Sequence, residues 1–299
     1  MKVMYGAIMG DVVGSIYEFH NIKSKAFPLF RKECFFTDDT VLTLAIADAL
    51  ADEVLAGRFD SNTDEDWRRV FTEYMREIGQ EYPFCGYGKR FITWLFSSRP
   101  KPYHSCGNGS AMRVSPVAYF ARSLEECERL ARLTAEPTHD HPDGIAGAQA
   151  TAGAVYLALH GASKDEIKAY VDRYYADEVQ RFVEEKGISE FTLATIRPRY
   201  RFDKYASVNR GTVPFAVQAF LESTPGKNPQ DPVSAGLADT IRNTVSIGGD
   251  TDTLGAISGA IAEAYYGLGH KYAEGLRGFL DAELRAILDK LERLDWPVD

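Results

Sequence analysis

Apolar residues recur at helical spacing along nearly the whole chain, and no stretch alternates polar and apolar residues with period two between turn signals. A half-buried strand needs that alternation, whereas an amphipathic helix needs apolar residues at i, i+3, i+4 and i+7. Trp67, Val70, Phe71, Tyr74, Met75 and Ile78 hold the helical pattern over 64–78. Further helices are expected over 90–96, 124–133, 164–174, 177–186, 211–221, 232–243 and 272–294. There is no Pro/Ser/Gly-rich linker and no fixed-period repeat, so residues 1–299 read as one mostly α-helical domain.

Two helices are unusual in being built from small residues. Gly6, Gly10 and Gly14 are spaced by four, which on a helix gives one face open to close approach by another backbone. The run 144–160 is rich in Gly and Ala and reads as a tightly packed internal helix rather than a membrane span, since it holds Gln149 and His160. Asp11 lies among the small residues of the first helix. Glu18 follows in Ile16-Tyr17-Glu18-Phe19, where apolar neighbours put a buried, functional acid level with the solvated loop acid that Glu usually is.

Acids stand at the mouths of two further helices. Thr37-Asp38-Asp39-Thr40 precedes the apolar run 41–50, and Gly248-Gly249-Asp250-Thr251-Asp252-Thr253 precedes 254–266. Each motif alone reads as an N-cap with first-turn acids that complement the helix dipole. The pairing changes that reading. Adjacent carboxylates held near Phe35, Phe36 and Val41 repel one another, and a cation is the simplest compensation. If the two mouths converge, four carboxylates and two or more hydroxyls form an all-oxygen cup. Such a set suits Mg²⁺, Mn²⁺ or Ca²⁺ rather than zinc, and its charge matches two divalent ions.

Two glycine loops complete the pattern. Phe84-Cys85-Gly86-Tyr87-Gly88 precedes a helix, and Ser105-Cys106-Gly107-Asn108-Gly109-Ser110-Ala111-Met112-Arg113 offers unhindered backbone N–H groups suited to an anion. The second loop lacks the lysine of a P-loop and the spacing of a dinucleotide fingerprint. His139 and His141 have no cysteine pair to complete a zinc set, so a histidine at a ligand pocket is the better reading. The basic-aromatic stretch Arg197-Pro198-Arg199-Tyr200-Arg201 reads as surface loop.

Net charge is −9 without a basic block, which argues against nucleic acid and anionic membrane as partners. Four scattered cysteines without a C-x-x-C pair suggest reduced thiols and a cytoplasmic setting, and Asp11 interrupts the N-terminal apolar run, which does not read as a signal peptide.

Taken in order, Gly6 to Asp11 with Glu18, Thr37 to Thr40, Gly107 to Arg113, Thr138-His139 and Gly248 to Thr253 resemble the ADP-ribosylglycohydrolases, of the type that includes the activating glycohydrolase of dinitrogenase reductase. The resemblance implies a compact, orthogonally packed all-α domain with a central two-metal site for Mg²⁺ or Mn²⁺. By similarity Thr37, Asp38, Asp39, Asp250, Asp252 and Thr253 are the metal ligands. Ser105, Cys106, Gly107 and Asn108, with Gly109, Ser110 and Met112 of the same motif, match the loop that holds the ADP-ribose phosphates. Gly86, Tyr87 and Gly88 resemble a second loop against the ligand, and His139 a pocket histidine. Glu18 and Asp38 are the expected catalytic carboxylates. The implied reaction is hydrolysis at C1″ of ADP-ribose attached to a protein side chain or small conjugate, with arginine linkage first. Serine-linked or O-acyl-ADP-ribose, or an inactive ADP-ribose-binding relative, are the alternatives. Residues 163–205 match nothing in the family pattern.

Overall fold

A computed structural model describes residues 4–225 and 234–296. In chain order the helices are α1 (Tyr5–Gly14), followed by a 3₁₀ turn (Ser15–Tyr17), α2 (Asp38–Leu55), α3 (Asp64–Glu81), α4 (Lys89–Leu95), α5 (Gly109–Met112), α6 (Val117–Phe120), α7 (Leu124–Ala135) and α8 (Pro142–Leu159). They continue with α9 (Lys164–Lys186), α10 (Leu193–Ile196), α11 (Asn209–Leu221), α12 (Ala235–Ile247), α13 (Thr251–Tyr266), α14 (His270–Arg277) and α15 (Ala282–Arg293). No strand forms among the described residues. A single bridge joins Gly107 to Val208. The all-α expectation therefore holds, and no described helix is long and apolar enough to cross a membrane.

The architecture is organised around α13. Every residue from Thr251 to Glu263 is buried, and the helix touches α1, α2, α5, α8, α11 and α12. The glycine spacing of α1 finds its partner here. A Cβ on Gly10 would lie 1.8 Å from the Gly255 carbonyl oxygen, and Cβ atoms on Gly6 and Gly14 would lie 2.2 and 2.3 Å from the carbonyl oxygens of Gly259 and Thr251. The reverse also holds, since a Cβ on Gly259 would lie 2.1 Å from the Gly6 oxygen. Only hydrogen side chains permit this backbone-to-backbone seam. It carries Asp11 on α1 up to the mouth of α13. Helix α8 is internal, as its composition suggests, with Gly147 packed on Asn209 and Gly153 on Tyr170.

Helix boundaries differ from the expected ones in three places. The runs 164–174 and 177–186 form one continuous helix, α9. Its Ser163–Glu166 capping box starts it, Tyr170, Tyr175 and Phe182 carry one buried stripe through it, and Gly187 in the left-handed region ends it. Conversely 272–294 is not one helix. The chain breaks after Arg277, and Asp281 restarts it by accepting from the Leu284 N–H at 3.0 Å. The expected helix 232–243 begins at Ala235 and runs on to Ile247. Pro232 and Val3 lie outside the described residues.

Candidate metal centre and substrate cleft

Two helix mouths converge on the floor of a cleft of about 630 Å³. Thr253 Oγ1 at the start of α13 stands 3.3 Å from Asp39 Oδ2 at the start of α2, across 214 residues of sequence. Thr37 is the N-cap of α2, and its hydroxyl accepts from the Asp39 N–H at 3.3 Å. Asp250 occupies the N-cap position of α13 yet makes no side-chain cap bond. Its Oδ2 instead accepts from Asn108 Nδ2 at 2.8 Å. The cap explanation, sufficient for either motif in isolation, does not account for this carboxylate.

The turn that presents Asp250 is set by two glycines. Gly248 and Gly249 have φ of 74° and 81°, in the left-handed region that L side chains avoid. A Cβ on Gly249 would lie 2.3 Å from the Tyr200 ring. Asn21 clamps the turn from both sides, accepting from the Gly249 N–H at 2.7 Å and donating to its carbonyl at 3.1 Å. The Lys23 ammonium donates to the carbonyls of Ile247 and Tyr200. The stretch 197–201 is therefore not simply surface loop. Tyr200 is 1% exposed and donates to the Gly211 carbonyl at 2.6 Å, while Arg197 Nε donates to Ser246 Oγ at 2.7 Å. Its basic residues masked a ring wedged beneath the acidic turn.

Oxygen atoms of Asp11, Asp39 and Asp252 come within 4.8 Å of one another, and so do those of Glu18, Asp250 and Asp252. Asp252 is common to both triads. Asp11 was not counted among the expected ligands. It accepts from the N–H groups of Thr37 and Thr40 at 2.9 and 3.0 Å, from Thr37 Oγ1 at 2.8 Å and from the Thr40 hydroxyl. A hydroxyl has one proton. Because Thr37 gives it to Asp11, the oxygen turned toward Asp39 Oδ2, 3.3 Å away, presents lone pairs.

Without compensation this is an expensive arrangement. Burial and then the charges of Asp11 and Asp250 push the Asp38 carboxyl up to about 8. Burial, then Asp250 and Asp11, push Glu18 up to about 7. Burial raises Asp11 to about 6 against the pull of its four donors. Asp39 and Asp252 lie well above the usual carboxylate range, from burial and then from neighbouring acids. Asp39 Oδ1 is buried and has no partner. Hard oxygen donors, mutual repulsion and an orphaned buried oxygen together fit divalent cations.

The remaining expected residues divide. Gly86, Gly88, Ser105, Gly107, Asn108, Gly109, Met112 and His139 line the same cleft as the acids. Tyr87, Cys106 and Ser110 do not. Tyr87 is a core residue, its ring against Phe91 and its hydroxyl on the Gly79 carbonyl at 3.2 Å. Ser110 Oγ donates to the Gly144 carbonyl at 2.7 Å and accepts from Asn209. The backbone of the second glycine loop is also partly committed. The Gly107 N–H goes to Ser105 Oγ and the Asn108 N–H to the Ser207 carbonyl, so of the three cleft residues Gly107, Asn108 and Gly109 only Gly109 keeps an uncommitted N–H. His141 does not join His139 at the cleft; it caps α8 by accepting from the Asp143 N–H. Around the mouth stand exposed phenyl rings that periodicity could not reveal: Phe19 (73% exposed), Phe35 (53%), Phe84 (99%) and Phe202 (45%). Lys89 and Arg90 supply positive charge on the wall.

An all-helical fold that gathers two carboxylate triads on the floor of an open, aromatic-rimmed cleft defines a helical protein whose acidic clusters are able to hold metal ions. The ADP-ribosylglycohydrolase family model matches residues 1–296, so the chain belongs to that family and is a glycohydrolase enzyme acting on ADP-ribose linkages. Among relatives, ADP-ribosylhydrolase ARH3 of Mus musculus is 28% identical over 94% of this chain and 88% of its own length. ADP-ribosylarginine hydrolase Tri1 of Pseudomonas putida (strain GB-1) is 24% identical over 89% and 70%. A solved structure described as an ADP-ribosylglycohydrolase-related protein complex has the same fold, with a TM-score of 0.63 at 22% identity over 98% of this chain and 96% of that one.

Proposed function

We propose that the protein hydrolyses the bond between ADP-ribose C1″ and a protein side chain, with arginine-linked ADP-ribose as substrate and two divalent cations, Mg²⁺ or Mn²⁺, as cofactors. The observation that carries this reading is the pair of carboxylate triads sharing Asp252. Thr37, Asp38, Asp39, Asp250, Asp252 and Thr253 would hold the ions, with Asp11 and Asn108 orienting them. Bound there, the cations supply a template for the ribose hydroxyls and electrostatic stabilisation as charge develops.

The chain's own groups do the rest. Cleavage at C1″ builds an oxocarbenium-like sugar, and the buried carboxylates face that positive charge. Glu18 is half-buried on the open side of the cup, within 4.8 Å of Asp250 and Asp252 oxygens. From there its carboxylate takes a proton from the attacking water. Asp38, also half-buried and beside the Gly86 loop, accepts hydrogen bonds from the N–H groups of the departing guanidinium, and as the water oxygen bonds to C1″ and the C1″–N bond breaks, the proton taken by Glu18 passes to the leaving nitrogen. A guanidinium bonded to C1″ still offers four N–H donors, and two half-buried carboxylates at the open side are matched to it. This favours arginine linkage, as does the likeness to a relative named an ADP-ribosylarginine hydrolase. The diphosphate would lie along the Gly109 N–H group and His139, with Lys89 and Arg90 balancing its charge.

The test is release of ADP-ribose from arginine- and serine-linked peptides with Mg²⁺, Mn²⁺ or EDTA. Release from the arginine linkage with either cation and none in EDTA is expected. Release from the serine linkage alone would overturn the assignment of linkage, and release undiminished by EDTA would overturn the role of the cations.

A further inference from the structure

One arginine of the cleft is sealed into the protein. Arg113 is fully buried, its guanidinium lies over the Phe91 ring, and no salt bridge reaches it among the described residues. Its Nε and Nη1 have no partner. Nη2 donates to the Thr134 carbonyl at 3.1 Å and to Thr138 Oγ1 at 2.8 Å. Thr138 Oγ1 is in turn 2.7 Å from His139 Nδ1, and both residues are buried.

The direction of these bonds is fixed by proton counting. A guanidinium has donors only, so Thr138 Oγ1 accepts from it. If His139 Nδ1 carried a proton, the hydroxyl would accept a second time and its own proton would be buried without an acceptor, which is costly. If Thr138 donates to Nδ1, every group in the relay is used. The ring proton then sits on Nε2. That atom faces the glycine loop, where a Cβ on Gly109 would lie 3.3 Å from it and one on Gly107 3.5 Å. Burial, with the nearby charges of Arg113 and Arg90, keeps the imidazole neutral.

We infer that Arg113 and Thr138 are positioning residues that lock His139 in its Nε2–H tautomer, so that a neutral N–H donor is aimed at a diphosphate oxygen of the ligand beside the 107–109 loop. The choice of ligand atom rests on the proposed function; the tautomer does not.

The test uses the full chain, labelled with ¹⁵N-histidine and loaded with diamagnetic Mg²⁺. The His139 resonances, identified by their loss in His139→Gln, are expected to show an unprotonated Nδ1 and a protonated Nε2 at neutral pH. Thr138→Val should mix the tautomers and weaken ADP-ribose binding, read by calorimetry, by about tenfold, the loss of one hydrogen bond to a charged group. Thr138→Ser should restore both. A proton on Nδ1 in the natural protein overturns the inference, and so does Thr138→Val with unchanged spectrum and affinity. If Thr138→Val fails to fold, the spectra of the natural protein and Thr138→Ser decide. Absence of ADP-ribose binding by the natural protein overturns the proposed function, while the spectrum still judges the tautomer.

Discussion

Asp252 belongs to both carboxylate triads, so removing it should damage both of the proposed cation positions at once. Asp252→Ala is expected to abolish turnover while circular dichroism remains native, and a calorimetric Mn²⁺ titration should lose most of its signal. Asp38→Ala, at the edge of the cup, should abolish turnover as well; retained activity in both variants would refute the metal-cup reading. Asn108 reaches Asp250 from the glycine loop, and partners of this kind typically change metal affinity by about 10–100-fold. Asn108→Ala should therefore weaken Mn²⁺ within that range. The acids were legible in the sequence because Thr-Asp-Asp and Asp-Thr-Asp-Thr stand before apolar runs. Asn108 was legible only as a loop residue, because no local pattern tells that its amide crosses 142 positions to a carboxylate. Asn21, Lys23 and Tyr200 were hidden for the same reason: each braces the Gly248–Gly249 turn through the fold rather than through neighbouring sequence.

The contact of α1 with α13 is the element on which the cup depends. Gly10→Ala would drive a Cβ to 1.8 Å from the Gly255 carbonyl oxygen, backbone against backbone, with no flexible side chain to yield. Urea unfolding should show a loss of about 3 kcal/mol or more, the upper end of overpacking costs, and weakened cation binding because the mouths separate. Gly275→Ala in α14 is the control, since nothing lies within 4 Å of its Cβ. It should gain about 0.5–1 kcal/mol from helix propensity alone. The glycine spacing foretold a close helix partner because period four on a helix makes a face. It could not foretell which helix, since Gly144, Gly147 and Gly153 of α8 advertise the same thing and pack instead on side chains and loop backbone. The break at Gly278–Asp281 was missed because apolar spacing continues across it.

For the whole molecule, the clustered acids make stability depend on pH and cation together. In the cation-free protein Asp11, Glu18 and Asp38 titrate at about 6, 7 and 8, against 3.8–4.5 when unfolded. A carboxyl raised in the folded state contributes stability at low pH that is lost as pH rises through its folded value. With EDTA present, Tm should fall between about pH 5 and pH 8. Divalent cation reverses the sign by favouring the ionised form, so the Tm gain on adding Mn²⁺ should be larger at pH 8 than at pH 5.5. Equal gains at both would show that these carboxylates do not take up the ion. The cup also has a consequence in time. Synthesis delivers Asp11, Thr37 and Asp39 long before Asp250, Asp252 and Thr253 exist. On the proposed function, the cup stays incomplete until the last fifth of the chain emerges, and a nascent or C-terminally clipped product would be catalytically silent. Activity would then double as a report that translation has run past Thr253.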